Sequence, residues 1–126
     1  MIGFQKDLMG TGMAAQLAAA VGGATLLGQT ATGSTNADAF ALTVPSTEFT
    51  TTAAGTGAIL PGTSSRVLLG DELFVANLGA NTLKVYPPVG FKINGGSTDA
   101  AVSISTLKTA IFIPRGDGNY WAILSA

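Results

Sequence analysis

DELFVANLGANTLKVYPP, at residues 71–88, is the stretch that decides the fold. Leu73 and Val75 alternate with Phe74 and Ala76 in the run at 71–77. Leu83 and Val85 alternate with Lys84 and Tyr86 in the run at 82–86, after a Gly-containing connection at 78–81. A period of two is typical of a β-strand with one buried face. Two such runs joined by a short Gly-containing connection predict a β-hairpin, and Pro87-Pro88 ends the second run.

The same period of two extends over most of the chain after Asp38. Further strand-like runs, separated by Pro, Gly and Asp turn residues, lie at 39–44, 48–52, 58–60, 92–94, 102–105, 109–113 and 120–124. About eight short strands at this spacing predict a compact, all-β, antiparallel β-sandwich or barrel. We see no internal repeat, which disfavours a β-solenoid.

Two strand runs carry expectations about burial. The run at 109–113 is continuously apolar after its first residue, as expected of a strand covered on both faces. Trp121 and its alternating partner Ile123 are expected to pack in the core.

The chain before residue 29 differs in composition from the rest, which gives three segments. Met13, Leu17 and Val21 have the spacing of one helical face, so residues 1–28 are expected to form an N-terminal arm with a short helix. Residues 29–37 are expected to be a polar linker, and residues 38–126 the β domain. The apolar stretch at 13–27 is too short to span a bilayer, so no membrane association is expected.

Composition argues against catalysis. The 126 residues include no His and no Cys, which removes the most common general base and metal ligand, the thiolate nucleophile and the zinc knuckle. Asp71 and Glu72 are adjacent on a predicted strand and point to opposite faces. We therefore expect no enzyme activity, no catalytic residues, no cofactor and no metal.

Charge bears on the partners. Only 10% of the residues are charged, 47% are hydrophobic and the net charge is -1. No basic field is available to bind phosphates, so nucleic-acid binding is not expected. So little charge is unusual for a free soluble domain, and it indicates that much of the surface is covered by other protein.

The quoted stretch and several other segments resemble small virion proteins of tailed bacteriophages, the capsid decoration (cement) and head-fibre proteins. The segments that carry the resemblance are 70–77, 79–90, 93–96 and 121–124, with 12–18 and 31–34 before them. It implies a homotrimer with a β body that binds the major capsid protein on the outer surface of the head. Such a protein would be assembled in the host cytoplasm and stabilise the shell.

If this is so, the N-terminal arm is the expected capsid contact. Its apolar anchors would be Phe4, Leu8, Met9, Met13 and Leu17.

Two alternatives stay open. A fibre or adhesin module would bind a host glycan through exposed aromatic residues, and the stiff corner formed by Tyr86, Pro87, Pro88 and Phe91 is the candidate surface. A small-ligand-binding β-barrel would be a monomer with an apolar cavity.

Overall fold

A computed structural model describes residues 25–62 and 72–126 of the chain. Ten β-strands and no helix are found in these two ranges. The strands are β1 (Thr25–Thr30), β2 (Phe40–Ala41), β3 (Ser46–Thr51), β4 (Gly57–Ile59), β5 (Leu73–Asn77), β6 (Leu83–Tyr86), β7 (Lys92–Ile93), β8 (Val102–Ile104), β9 (Lys108–Pro114) and β10 (Asn119–Leu124). Within the same ranges, no helix is long and apolar enough to cross a membrane.

The strands form two sheets between which the chain passes repeatedly. The larger sheet has the order β1-β3-β5-β9-β10-β7, and the smaller has the order β2-β4-β6-β8. The first three odd-numbered strands run parallel in the larger sheet, while β2, β4 and β6 run parallel in the smaller one. The first six strands thus wind as three coils, each of which gives one strand to each sheet.

Antiparallel pairing begins only after the sixth strand. β8 pairs antiparallel with β6, and β9 pairs antiparallel with both β5 and β10. β7 pairs parallel with β10 at the end of the larger sheet. Among the later strands, β8, β9 and β10 therefore extend the two sheets by antiparallel pairing, and only β7 adds a parallel pair.

The prediction of an antiparallel sandwich or barrel was wrong, since both sheets are mixed and contain parallel pairs. Alternating side chains specify which face of a strand is buried, but they do not specify the direction of its neighbour. The coils also differ in length: Thr25 lies beside Ser46, and Ser46 beside Phe74. The parallel winding of the first six strands therefore leaves no fixed sequence period from which it could have been predicted.

The predicted N-terminal helix, around Met13, Leu17 and Val21, lies outside the described residues. Where the arm and the described part overlap, the chain is a strand: β1 starts at Thr25 and pairs with β3. Beyond it, Ala31 is 3% exposed, and its N–H donates to the Thr51 carbonyl at 2.9 Å. The described start of the chain is thus part of the larger sheet.

The connection after β5 is an arch between the sheets, so the predicted hairpin was wrong. β5 pairs with β3 and β9, whereas β6 pairs with β4 and β8. Gly79 at the arch packs against Thr52, since a Cβ at Gly79 would lie 2.6 Å from the Thr52 backbone nitrogen. This contact packs the arch against the preceding coil, at the point where the chain passes from the larger sheet to the smaller one.

The fully buried side chain of Asn77 holds the arch together. Its Oδ1 accepts hydrogen bonds from the Thr52 hydroxyl at 2.9 Å and from the Gly79 N–H at 3.0 Å. Its Nδ2 donates to the carbonyls of Asn81 and Ile104, both at 2.9 Å. One amide group thereby bonds to the connection after β3, the connection after β5 and the end of β8, and its own polar atoms are satisfied as burial requires.

The core lies between the two sheets and is filled by large side chains. Phe49, Phe112 and Tyr120 come from the larger sheet and are at most 1% exposed. Leu83 and Val85 face them from the smaller sheet, where both are fully buried. Burial of apolar and aromatic groups on this scale is the main force that holds the sheets together.

Candidate interaction surface

On strands β5, β9 and β10, the side of the larger sheet that faces away from the core carries large apolar side chains. On β9 the side chains of Ala110 and Phe112 point into the core, at 1% and 0% exposure. Their alternating neighbours Ile111 and Ile113 therefore point outward, and both are only half-buried. Because only one of its two apolar faces packs on the core, β9 has a second apolar face that is available to a partner.

Neighbouring strands extend this apolar surface. Phe74 on β5 lies directly opposite Ile111, and Ile111 lies opposite Ile123 on β10. In the next row, Ile113 lies opposite Trp121. Directly opposed residues have Cβ atoms about 5 Å apart, so their side chains touch. We call these five residues (Phe74, Ile111, Ile113, Trp121 and Ile123) the outer face.

The outer face is well exposed to solvent. Phe74 is 40% exposed, Trp121 46% and Ile123 60%. Together with the two half-buried isoleucines they leave about 300–400 Å² of apolar surface uncovered, which is the scale of the patches that serve as binding sites on single domains. Single exposed apolar residues are ordinary, but a contiguous set on three adjacent strands of a rigid sheet is not.

Charged side chains border the outer face. Glu72 is exposed just before β5, and Glu48 lies on the outward side of β3. The Arg115 guanidinium stacks over the Trp121 ring, 4.7 Å from its centroid. The same group forms an ion pair with the Asp117 carboxylate at 3.0 Å. The positive charge beside the outer face is thus neutralised within its own loop. Trp and Arg are both among the residue types enriched at the energetic centres of protein interfaces.

The expectation for Trp121 and Ile123 was therefore wrong. They lie on the outer face, and the core position on β10 belongs to Tyr120, which is 1% exposed. The Tyr120 hydroxyl donates to the Pro61 carbonyl at 2.5 Å, and burial raises the pKa of Tyr120 to about 12. Because Tyr120 and Trp121 are both large and aromatic, alternation alone could not identify which of them faces inward.

The predicted surface corner is mostly buried, contrary to expectation. Tyr86 is 8% exposed, Pro87 and Pro88 are buried, and Phe91 is half-buried against the core. The Tyr86 hydroxyl donates to the Ser34 carbonyl at 2.6 Å, which fixes the ring against its own domain. The exposed side chain at this corner is Val89, at 70%.

The predicted capsid anchors fall in a part of the chain that lies outside the described residues. They are Phe4, Leu8, Met9, Met13 and Leu17. Their role stays a prediction.

Sequence reasoning missed Phe74, Trp121 and Ile123 as surface residues. The available signal was the apolar run at 109–113, which predicts a strand covered on both faces. In the described ranges β9 packs on the core through one face only. Its second apolar face was therefore the available sign of an exposed apolar surface.

Charged side chains elsewhere stabilise loops. The Asp38 carboxylate accepts hydrogen bonds from the N–H groups of Ser34 and Thr35 and from the Thr35 hydroxyl. The bonds from Thr35 hold the pKa of Asp38 below its ordinary value. Asp99 accepts from the Asn36 amide and the Gly90 N–H. Over residues 25–62 and 72–126, no group of three or more acidic, His or Cys residues could hold a metal ion.

No protein-family model, curated protein or solved structure matches this chain. The resemblance to phage virion proteins therefore stays a prediction from the sequence. The outer face is the surface from which function can be inferred.

Proposed function

We propose that this chain is a structural virion protein, a capsid decoration (cement) protein of a tailed bacteriophage. It binds the outer surface of the assembled head as a homotrimer and stabilises it. The observation that carries the assembly part of the proposal is the outer face, where Phe74, Trp121 and Ile123 form a contiguous exposed apolar surface. The phage part rests on the sequence resemblance.

The physical basis of such a function is mass action. A protein that binds the assembled shell and not its free subunits stabilises the shell by its binding free energy. Individual contacts can be weak in a homotrimer, because linkage of three copies raises the effective concentration of the second and third contacts. Low charge and exposed apolar surface fit a chain whose working state is covered by protein.

In this proposal the segment that contacts the capsid precedes β1. The apolar residues Phe4, Leu8, Met9, Met13 and Leu17 supply the contacts with the major capsid protein. The described part of the chain begins at β1, which pairs with β3 from Thr25 onward. A deletion of residues 1–24 therefore removes the proposed contact segment and leaves β1 intact.

The experiment compares the full chain with this deletion variant in co-sedimentation with heads of the phage that encodes the chain. We expect the full chain to sediment with assembled heads. We expect the deletion variant to stay in the supernatant while it keeps a β-type circular dichroism spectrum and unfolds cooperatively. Failure of the full chain to bind heads would overturn the proposal. Undiminished binding by the folded deletion variant would overturn the role of residues 1–24.

The described residues give the two alternatives less support. A glycan site at the aromatic corner would need accessible rings, but Tyr86 is 8% exposed and bonded to Ser34. A ligand cavity between the sheets would need space that Phe49, Phe112 and Tyr120 occupy. Binding on a glycan array would support the first alternative. A ligand-induced rise in the melting temperature would support the second.

A further inference from the structure

Asn94 and Gly95 form a tight turn directly after β7, at one edge of the larger sheet. Both residues have positive φ, 54° and 69°, and the Gly96 N–H donates to the Ile93 carbonyl at 3.0 Å. These are the features of a type I′ turn, which favours the pair Asn-Gly. The turn is exposed to solvent, so water has access to it.

The Asn94 side chain is bonded to the backbone of β10. Its Oδ1 accepts from the Ala122 N–H at 2.8 Å, and its Nδ2 donates to the Ala122 carbonyl at 3.2 Å. The Asn94 N–H donates to the Tyr120 carbonyl at 2.8 Å. β7 is only two residues long, so the side-chain amide of Asn94 continues the attachment to β10 beyond the end of the strand.

An asparagine that precedes glycine is open to attack by its own backbone. The Gly95 nitrogen bonds to the Asn94 Cγ, and no side chain hinders its approach, since even a Cβ at Gly95 would meet nothing within 4 Å. The bond from Cγ to Nδ2 breaks, and Nδ2 leaves as ammonia with the proton of the Gly95 N–H. Water then opens the resulting succinimide ring and gives aspartate or isoaspartate. The other four asparagines precede Ala, Leu, Thr or Tyr, whose side chains hinder ring closure.

We propose that Asn94 is a site of spontaneous deamidation, which the folded chain keeps unreactive through Ala122 and which opening of the β7 edge makes reactive. Ring closure brings Cγ onto the Gly95 nitrogen and expels Nδ2, so both bonds to Ala122 have to break first. A two-residue strand at the end of a sheet is also where local opening is easiest. This inference does not depend on the proposed function.

The product would weaken the attachment of β7 to β10. Aspartate keeps an acceptor for the Ala122 N–H, but it loses the donor and places carboxylate oxygen against the Ala122 carbonyl. Isoaspartate adds a methylene group to the main chain, which the tight turn from Ile93 to Gly96 does not accommodate. Phe91 and Ile93 pack on the core from this segment, so the modified chain should be less stable.

The test follows deamidation of the full chain by peptide mass spectrometry during incubation in mildly alkaline buffer. A synthetic peptide of residues 90–100 has the same Asn-Gly pair without Ala122 and gives the unprotected rate. We expect Asn94 to react about 10-fold or more slowly in the folded chain than in the peptide, since both bonds to Ala122 must open. In urea, the unfolded chain should react at the rate of the peptide in the same urea, and faster at Asn94 than at any other asparagine.

Two proline variants of β10 test the role of Ala122. Ala122→Pro removes the N–H that donates to Asn94, on the side of the strand that faces β7 and not β9. Leu124→Pro is the matched control, two residues farther along the same side of β10 and beyond the bonds of Asn94 to Tyr120 and Ala122. We expect A122P to deamidate about fivefold faster than the wild-type chain, as for loss of one hydrogen bond, and L124P to match the wild-type chain.

Each result supports or overturns one part of the proposal. Equal rates in the folded chain and the peptide would overturn the protection, and this comparison holds even if A122P fails to fold. Equal rates in folded A122P and the wild-type chain would overturn the role of Ala122. Faster reaction of another asparagine in the unfolded chain would overturn Asn94 as the site. The deamidated chain, separated by its added negative charge, should unfold at lower urea than the unmodified chain, and an unchanged midpoint would overturn the weakened attachment of β7.

Discussion

Replacement of Asn77 by Ala should be among the most destabilising single changes in the described part of the chain. The side chain is 0% exposed and makes four hydrogen bonds, two through Oδ1 and two through Nδ2. Each bond contributes about 1 kcal/mol net, and buried partners left unpaired add to the loss. We therefore expect N77A to lose about 3–5 kcal/mol, a large part of the roughly 5–15 kcal/mol that stabilises a domain.

The assay is equilibrium unfolding in urea at fixed protein concentration, since self-association changes apparent stability. Asn36→Ala is the matched control: it removes the same amide, but the single Asn36 hydrogen bond, to Asp99, is exposed to water. N36A should therefore cost less than about 1 kcal/mol. If N77A costs no more than N36A, Asn77 does not hold the arch together and the reasoning is refuted.

Asn77→Asp tests whether the Asn77 side chain must donate two of its hydrogen bonds. It keeps an acceptor for Thr52 and Gly79 but removes both donors, so carboxylate oxygen would face the carbonyls of Asn81 and Ile104. Burial and these carbonyls would raise the pKa of the new carboxyl above its unfolded value. N77D should then be most stable at acid pH and lose stability as pH rises through the folded pKa. A loss that is independent of pH would contradict this.

Three further predictions concern the stacking of the coils and titrating groups. Gly79→Ala would place a Cβ 2.4–2.6 Å from Thr52 and should cost several kcal/mol in urea unfolding, whereas Gly62→Ala meets nothing within 4 Å and should be near neutral; equal effects would refute the close contact. Tyr120→Phe loses one hydrogen bond, worth about 1 kcal/mol. Because the pKa of Tyr120 is about 12 when folded and 10.0 otherwise, the wild-type advantage over Y120F should shrink as pH rises from 10 to 12; a constant difference would argue against burial of the hydroxyl. The lowered pKa of Asp38 means that its stabilising effect is present above the unfolded pKa of about 4 and is lost as pH falls through the folded value, so Asp38→Asn should flatten the acid side of the stability profile; unchanged acid sensitivity would contradict the loop contacts.

The sequence was sufficient to identify most strands but not their partners. The runs around Phe49, Leu73, Leu83 and Phe112 are strands, as the period of two predicts. Pairing direction depends on where the chain goes after each strand. At 78–81 the chain passes to the smaller sheet. The side chain of Asn77 makes hydrogen bonds within this connection, where a hairpin would have backbone hydrogen bonds between its strands. No pattern of apolar residues records such a bond.

The candidate surface was only partly predictable, for a similar reason. The apolar run at 109–113 predicts a strand covered on both faces, whereas in the described ranges only the core face of β9 is covered, and Ile111 and Ile113 are half-buried. Trp121 was assigned to the core because a large aromatic residue in an alternating strand is usually buried. Tyr120 occupies that position instead, since its hydroxyl reaches the Pro61 carbonyl. The choice between two neighbouring aromatic residues depends on this long-range contact.

The most direct test of the central claim, that protein covers the outer face in the working state, is fluorescence of Trp121, the only tryptophan in the chain. Acrylamide quenching should be measured on the full chain over a dilution series that spans its association. The account predicts blue-shifted, weakly quenched emission at high concentration, and red-shifted, readily quenched emission on dilution, as a side chain 46% exposed in the single chain becomes accessible. If quenching is equally strong at both ends of a series in which the trimer dissociates, Trp121 is not at the interface and the account is contradicted.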